Sequence, residues 1–213
     1  MEWFFANASF VAGLALTHLS IVIIPIVLGS FLAIVGARIV RARWVPGTTA
    51  VLSAVYAIPS LALFVALPAL IGTSFIGPTN VVIALTVYAV ASMFFSARDA
   101  FAQVPPSTKT TATALGMSRF QLFIHVELPM AIPGLISGLR VVSATTVSMA
   151  AIGAVVGVRN LGFLFLDGFQ RRIPEEIVTG LVAVFVIAIA FDGGLWLLGR
   201  ALTPWRTRGG QRV

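Results

Sequence analysis

The sequence predicts an all-helical integral membrane protein: five transmembrane helices, with one long polar loop between the third and the fourth. Three observations carry that reading. The 213 residues are 59% hydrophobic and only 10% charged, with a mean hydropathy of +1.03. A soluble domain carries roughly 25% charged residues, so this chain cannot cover a water-facing surface, and a soluble enzyme is excluded. Second, no formal charge occurs from Trp3 to Ala37 or from Trp44 to Ala97. Third, the net charge of +7 comes from arginines and one lysine placed outside the long apolar runs, a distribution that speaks for membrane topology rather than for nucleic acid. Cysteine is absent, which removes disulfides, thiolate metal ligands and thiol nucleophiles from consideration.

Each span follows from length. A hydrocarbon core about 30 Å thick takes about 20 apolar helical residues. The first span covers residues 10–37. It lacks a basic segment before it and is followed by Arg38, Arg41 and Arg43, so it reads as a permanent span rather than a cleaved signal. The run 44–97 is too long for one helix, and Gly72 to Asn80 holds the Gly, Pro and Asn of a turn. Two spans are expected there, 51–71 and 81–97. Pro59 and Pro68 fall inside the first of them, where kinks would release backbone carbonyls. A fourth span is expected over 133–158, with Arg140 in its first two turns, and a fifth over 177–199, with Asp192 near its end.

Five spans put the termini on opposite sides. One side then receives Arg38, Arg41, Arg43, Arg98, Lys109 and Arg119, together with the tail 200–213, which carries Arg200, Arg206, Arg208 and Arg212. The other receives Arg159, Arg171 and Arg172, diluted by Glu2, Asp167, Glu175 and Glu176. Excess cations mark the cytoplasmic side. The N-terminus is therefore expected outside and the C-terminus in the cytoplasm, with residues 1–213 forming a single multi-pass domain.

The loop 98–129 has structure of its own. Pro105-Pro106 can open a helix, Ser107 to Leu115 make about two and a half turns, and Gly116 can close them in a left-handed conformation. Ser118 and Gln121 have capping-box spacing and start a second helix, expected to end at Leu128-Pro129 because a residue before proline avoids the helical region. A hairpin lying on lipid is one reading of such a loop. The helix presents Ser107, Thr108, Lys109, Thr110, Thr111 and Thr113, a poor surface for lipid that favours a protein-docking element instead.

Within this loop Thr110-Thr111-Ala112-Thr113-Ala114-Leu115-Gly116, with Val126-Glu127-Leu128-Pro129 nine residues beyond the glycine, resembles the EAA loop of ABC-importer membrane subunits. Thr110 and Thr111 depart from the usual Glu and Ala. Tyr56-Ala57-Ile58-Pro59-Ser60-Leu61-Ala62-Leu63, the region of Val87-Tyr88-Ala89, and Ile152-Gly153-Ala154 followed by Asn160-Leu161-Gly162 and Gly168 are similar to segments of the osmoprotectant subfamily. The resemblance implies the type I ABC importer permease fold and a membrane location in a prokaryotic cell. It also implies import of glycine betaine, choline, carnitine or a related quaternary amine by alternating access. Its partners would be a cytoplasmic ATPase dimer, a second permease subunit and an extracytoplasmic substrate-binding protein. The ATPase-coupling residues it implies are Thr110, Thr111, Ala112, Leu115, Gly116, Met117, Ser118, Arg119, Leu128 and Pro129. ATP and Mg belong to the partner, since this chain has no phosphate-binding loop. A permease for methionine or another amino acid is the nearest alternative. An ATP-independent secondary transporter or channel would want buried acids or an inverted repeat.

For the solute pathway, Pro59, Ser60, Ser143, Thr145, Thr146 and Ser148 are candidates, and hydroxyls bonded to their own helices are the competing reading. Asp192 reads as a pairing or capping acid. His18 and His125 are too far apart for a metal site, and neither a catalytic group nor a cofactor site of this chain is expected. The outer segment Arg159–Glu176 reads either as a half-embedded helix with a charged rim or as an inert loop.

Overall fold

The computed structural model describes residues 2–73 and 77–205. Within them the chain is helical: α1 (Glu2–Ala6), α2 (Ala8–Ile39), α3 (Ala42–Ala57), α4 (Ser60–Ile71), α5 (Pro78–Ala102), α6 (Pro106–Ala114), α7 (Arg119–Val156), α8 (Phe163–Arg171) and α9 (Pro174–Leu202). Helices α2, α5, α7 and α9 are each long and apolar enough to cross a membrane. Arg206, Arg208 and Arg212 of the tail, and residues 74–76 of the expected hairpin, lie outside the described residues.

Small residues set the arrangement. A Cβ on Gly29 would meet Ala89 Cβ at 2.7 Å, and one on Gly36 would meet the Phe94 ring at 3.8 Å. Arg98 donates to the Ala37 carbonyl at 3.3 Å. Sequence numbers rise together across this contact, so α2 and α5 run parallel. Gly134 lies against Ala100 and Gly138 against Ser96, so α7 runs antiparallel to α5 with backbones in close approach. Gly199 against Ile136, with Arg140 paired to Asp192, makes α9 antiparallel to α7. Helix α5 is the centre of the bundle, contributing Val81, Ala84 and Leu85 to one buried cluster and Ala89, Met93, Phe94 and Ala97 to another.

The stretch expected as one span over 51–71 is two helices, α3 and α4, bent by 104°. Pro59 causes the break: Ile58 takes an extended conformation (φ −65°, ψ 130°), the one a residue before proline prefers. Pro68 sits inside α4, which is one helix from Ser60 to Ile71. Because α2 and α5 are parallel, the α3–α4 pair must carry the chain back through the full thickness, which makes it the fifth crossing. Tyr88 Oη of α5 donates to the freed Ile58 carbonyl at 2.5 Å, and its ring packs edge-on to Tyr56 at 5.9 Å. Tyr88→Phe is expected to lower stability by about 1 kcal/mol, read as a lower thermal midpoint in detergent, while an unchanged midpoint would remove the contact from the account.

The expected end of the second loop helix at Leu128-Pro129 is also corrected. Helix α7 continues from Arg119 through both residues to Val156, so the second loop helix and the fourth span are one continuous helix. Residues Phe123–Glu127 are wound as a wider π-turn, which shifts the carbonyl pattern ahead of a proline that has no N–H to offer. Helix α2 also contains a π-turn, at Pro25–Gly29, there beginning at the proline itself. Likewise α5 runs on to Ala102, so the loop proper starts at Gln103.

Candidate functional site

Helix α6 and the first turns of α7 form a two-helix knob. Pro105 is extended (ψ 132°) and Pro106 opens α6. Thr110 and Thr113 hydroxyls donate back to the Pro106 and Lys109 carbonyls at 3.0 and 2.8 Å. The helix closes on Gly116 at φ +84°: Met117 N–H reaches the Ala112 carbonyl and Gly116 N–H that of Thr113, a Schellman-type end that satisfies the last carbonyls. Ser118 then opens α7 by the expected reciprocal box, with Gln121 N–H on Ser118 Oγ at 3.3 Å and Ser118 N–H on Gln121 Oε1 at 2.8 Å.

The tip of this knob is apolar and open. Leu115 is 76% exposed and Phe120 73% exposed. Beside them, Ser107, Thr111, Ala112, Leu115, Met117 and Val126 line a groove of about 400 Å³. Thr110, Thr111, Ser118 and Arg119 are exposed, whereas Ala112 is buried. Leu128 and Pro129 are half-buried inside α7, so they set the direction of the helix leaving the knob instead of forming its tip.

The tether of the knob went unnoticed in the sequence. Glu127, buried within the π-turn, forms ion pairs with Arg38 at 2.9 Å and with Lys109 at 3.3 Å. Arg38, at the end of α2, also stacks over the Phe123 ring at 5.3 Å. One carboxylate thereby joins α6, α7 and the first span. It stands between Val126 and Leu128-Pro129. The available signal was its isolation: from residue 100 to residue 158 it is the sole acid.

The residues named for a solute pathway are not gathered in one place. Pro59 is exposed at the α3–α4 break and Ser60 begins α4. Ser143 and Thr146 are buried against the bundle, Thr145 is half-buried, and Ser148 is exposed. Ser143 donates to the Arg140 carbonyl at 3.0 Å, and Thr145 to the Val141 and Val142 carbonyls at 3.0 Å each. Asp192 is a pairing acid: Arg140 Nε and Nη2 engage its two oxygens at 2.5 and 2.7 Å, a bidentate bridge between α7 and α9. His18 Nε2 lies 3.1 Å from the Val147 carbonyl. Among the described residues no cluster of three or more potential metal ligands occurs.

At the opposite end, Asn160 organises the return from α7. It is fully buried, donates to the Ala150 carbonyl at 2.9 Å, and accepts from Gly162 N–H at 2.7 Å. The outer segment does form a helix, α8, with an Arg171–Asp167 ion pair at 2.9 Å on its rim.

Comparison with known proteins places this architecture. Residues 25–202 match the family described as binding-protein-dependent transport system inner membrane component. The osmoprotectant import permease protein OsmW of Salmonella typhimurium is 32% identical over 208 residues, 93% of this chain and 94% of the relative. The glycine betaine/carnitine/choline transport system permease protein OpuCB of Bacillus subtilis is 28% identical over 92% of this chain and 90% of its own length. Among solved structures, a chain of the MetNI methionine ABC transporter superimposes with a TM-score of 0.80 at 22% identity, over 93% of this chain and 98% of that one. The fold is that of a type I ABC importer permease, and the chain belongs to the family of inner membrane components of binding-protein-dependent transport systems.

Proposed function

We propose that this chain is the permease subunit of an importer for a quaternary-ammonium osmoprotectant such as glycine betaine, choline or carnitine. A separate ATPase dimer drives it through the α6 knob, and an extracytoplasmic binding protein delivers the solute. The knob carries this reading. It is a capped, tethered element whose two large apolar side chains are left open, the form expected of a surface made to seat in another protein. Since the chain has no phosphate-binding loop of its own, nucleotide energy has to arrive as motion at this contact and be passed to α2 and α7 through Glu127. Such a transfer is a rigid-body switch between inward- and outward-facing states.

The end of the bundle that carries the knob is then cytoplasmic, which agrees with the arginine asymmetry. The C-terminus lies on that side and the N-terminus outside. A second permease subunit, either a copy or a related chain, completes the pore. The solute class rests on the relatives, whose named substrates share a trimethylammonium group. The likeness to a methionine transporter supports the fold and carries no argument about solute.

The test is uptake of labelled glycine betaine, choline and methionine by proteoliposomes containing this chain, its ATPase and its binding protein. ATP-dependent uptake of a quaternary amine is expected. Methionine uptake alone would replace the solute class. In the same assay Gly116→Trp is expected to lower uptake at least tenfold, because any side chain at φ +84° is strained by about 1–2 kcal/mol and an indole there would occupy the docking face. Uptake at the wild-type rate would remove the knob from the coupling mechanism.

A further inference from the structure

At the knob-bearing end an open groove of about 710 Å³ runs along the seam where α5 and α7 meet, within the range of about 300–1,000 Å³ found for small-molecule sites. Ser96 and Asp99 of α5, Gln103 at its C-terminal cap, Met130 and Ser137 of α7, and Trp205 line it. Asp99 is exposed, and its carboxylate has no hydrogen-bond or ion-pair partner among the described residues. Its neighbour Arg98 is turned away toward the Ala37 carbonyl, and the bundle's nearby acid–base pair, Arg140 with Asp192, is closed on itself. Neither arginine nor lysine lines the cavity among the described residues.

The cavity lies on a polar stripe. Ser92, Ser96, Asp99 and Gln103 recur at intervals of four, three and four residues, which places them on one face of α5. Elsewhere the open faces of the bundle carry Leu181, Phe185 and Ile189, side chains suited to lipid. A carboxylate facing hydrocarbon is disfavoured, and ionisable groups within spans face bundle interiors or water-filled cavities. The stripe therefore borders water.

We propose that this seam is the inner leg of the solute route, and that Asp99 and Trp205 form a transient station for a trimethylammonium head group. The proposal rests on the quaternary-ammonium reading given above. Trimethylammonium has no N–H to donate, so it is recognised by charge and by aromatic faces. Asp99 supplies the charge and Trp205 the indole, while Ser96, Gln103 and Ser137 keep the cavity wet enough for release. This places solute recognition inside the permease as well as in the binding protein.

The experiment is equilibrium dialysis of labelled choline against the purified permease–ATPase complex without binding protein, with 3,3-dimethylbutanol, the uncharged carbon isostere of choline, as competitor. Choline is expected to bind at millimolar concentration and to resist displacement by the isostere. Asp99→Asn should weaken choline binding roughly tenfold through loss of the charge, while Asp99→Glu restores it to within a few-fold. Trp205→Ala should weaken it about threefold. Unchanged choline binding in Asp99→Asn overturns the station, as does displacement by the isostere at the concentration of choline itself. Uptake with the binding protein is measured on the same complex. Choline or betaine uptake without choline binding removes the station alone, whereas absence of any quaternary-amine uptake removes the solute class.

Discussion

Gly162→Ala is expected to prevent recovery of a folded subunit. A Cβ built at Gly162 would stand 1.9 Å from the Ala151 carbonyl oxygen, 2.6 Å from its carbon and 2.9 Å from Ala151 Cα. All three are backbone atoms within the last turns of α7, so no side-chain rotation relieves the overlap. Relief requires moving the return segment, and that segment is fixed by the two hydrogen bonds of Asn160, one of them from Gly162 N–H itself. Breaking them leaves a fully buried amide short of two of its partners, beside the buried His18 ring. The combined loss is on the order of 4 kcal/mol, at the upper end for a single substitution. Size-exclusion chromatography in mild detergent should show an aggregated or absent peak. Gly193→Ala is the control, because nothing lies within 4 Å of a Cβ there. A monodisperse Gly162→Ala protein with the wild-type thermal midpoint would contradict the packing described for this corner.

The second large effect is expected at Glu127. Glu127→Gln keeps the shape of the side chain and removes the charge, leaving Arg38 and Lys109 near each other with no carboxylate between them. Both cations are partly open to solvent, so the loss is moderated by water, at about 1–2 kcal/mol. That is small beside the stability of the whole bundle. It is large for a short helix whose ion pair to the rest of the subunit runs through this carboxylate. The expected outcome is an assembled complex that still hydrolyses ATP while uptake falls at least tenfold. Arg38→Gln should lie between this variant and the wild type, since Lys109 keeps its partner. Uptake and hydrolysis that stay in their wild-type ratio would show that the tether is structural and transmits nothing.

The tether also bears on the departure at Thr110. With Thr in place of the usual acid at the start of the motif, an acidic anchor on α6 is missing from the sequence. The structure holds α6 by the opposite arrangement: its lysine reaches a carboxylate on the neighbouring helix. Local sequence could not disclose this. Lys109 and Glu127 are separated by the Gly116 bend, and Arg38 belongs to another span, so their meeting depends on how three helices are rotated about their axes.

The same distinction runs through the molecule. Composition and charge placement were enough for the membrane class, the five crossings and the arginine-rich end, because lipid imposes the same requirement on every span irrespective of its neighbours. The knob was legible nearly to the residue: Pro106, Gly116, Ser118 and Gln121 act through bonds to groups no more than five residues away. The sequence marked Pro59 as a kink and Asp192 as a pairing acid, whereas tertiary structure decided the 104° size of the break and its Tyr88 clasp, the continuation of α7 past Pro129 through a π-turn, Arg140 as the partner of Asp192, and the Glu127 tether. Proline states a preference that packing can accept, as at Ile58, or absorb, as at Pro129. Charged groups in different helices pair only when register and rotation bring them face to face, and those are properties of the assembled bundle.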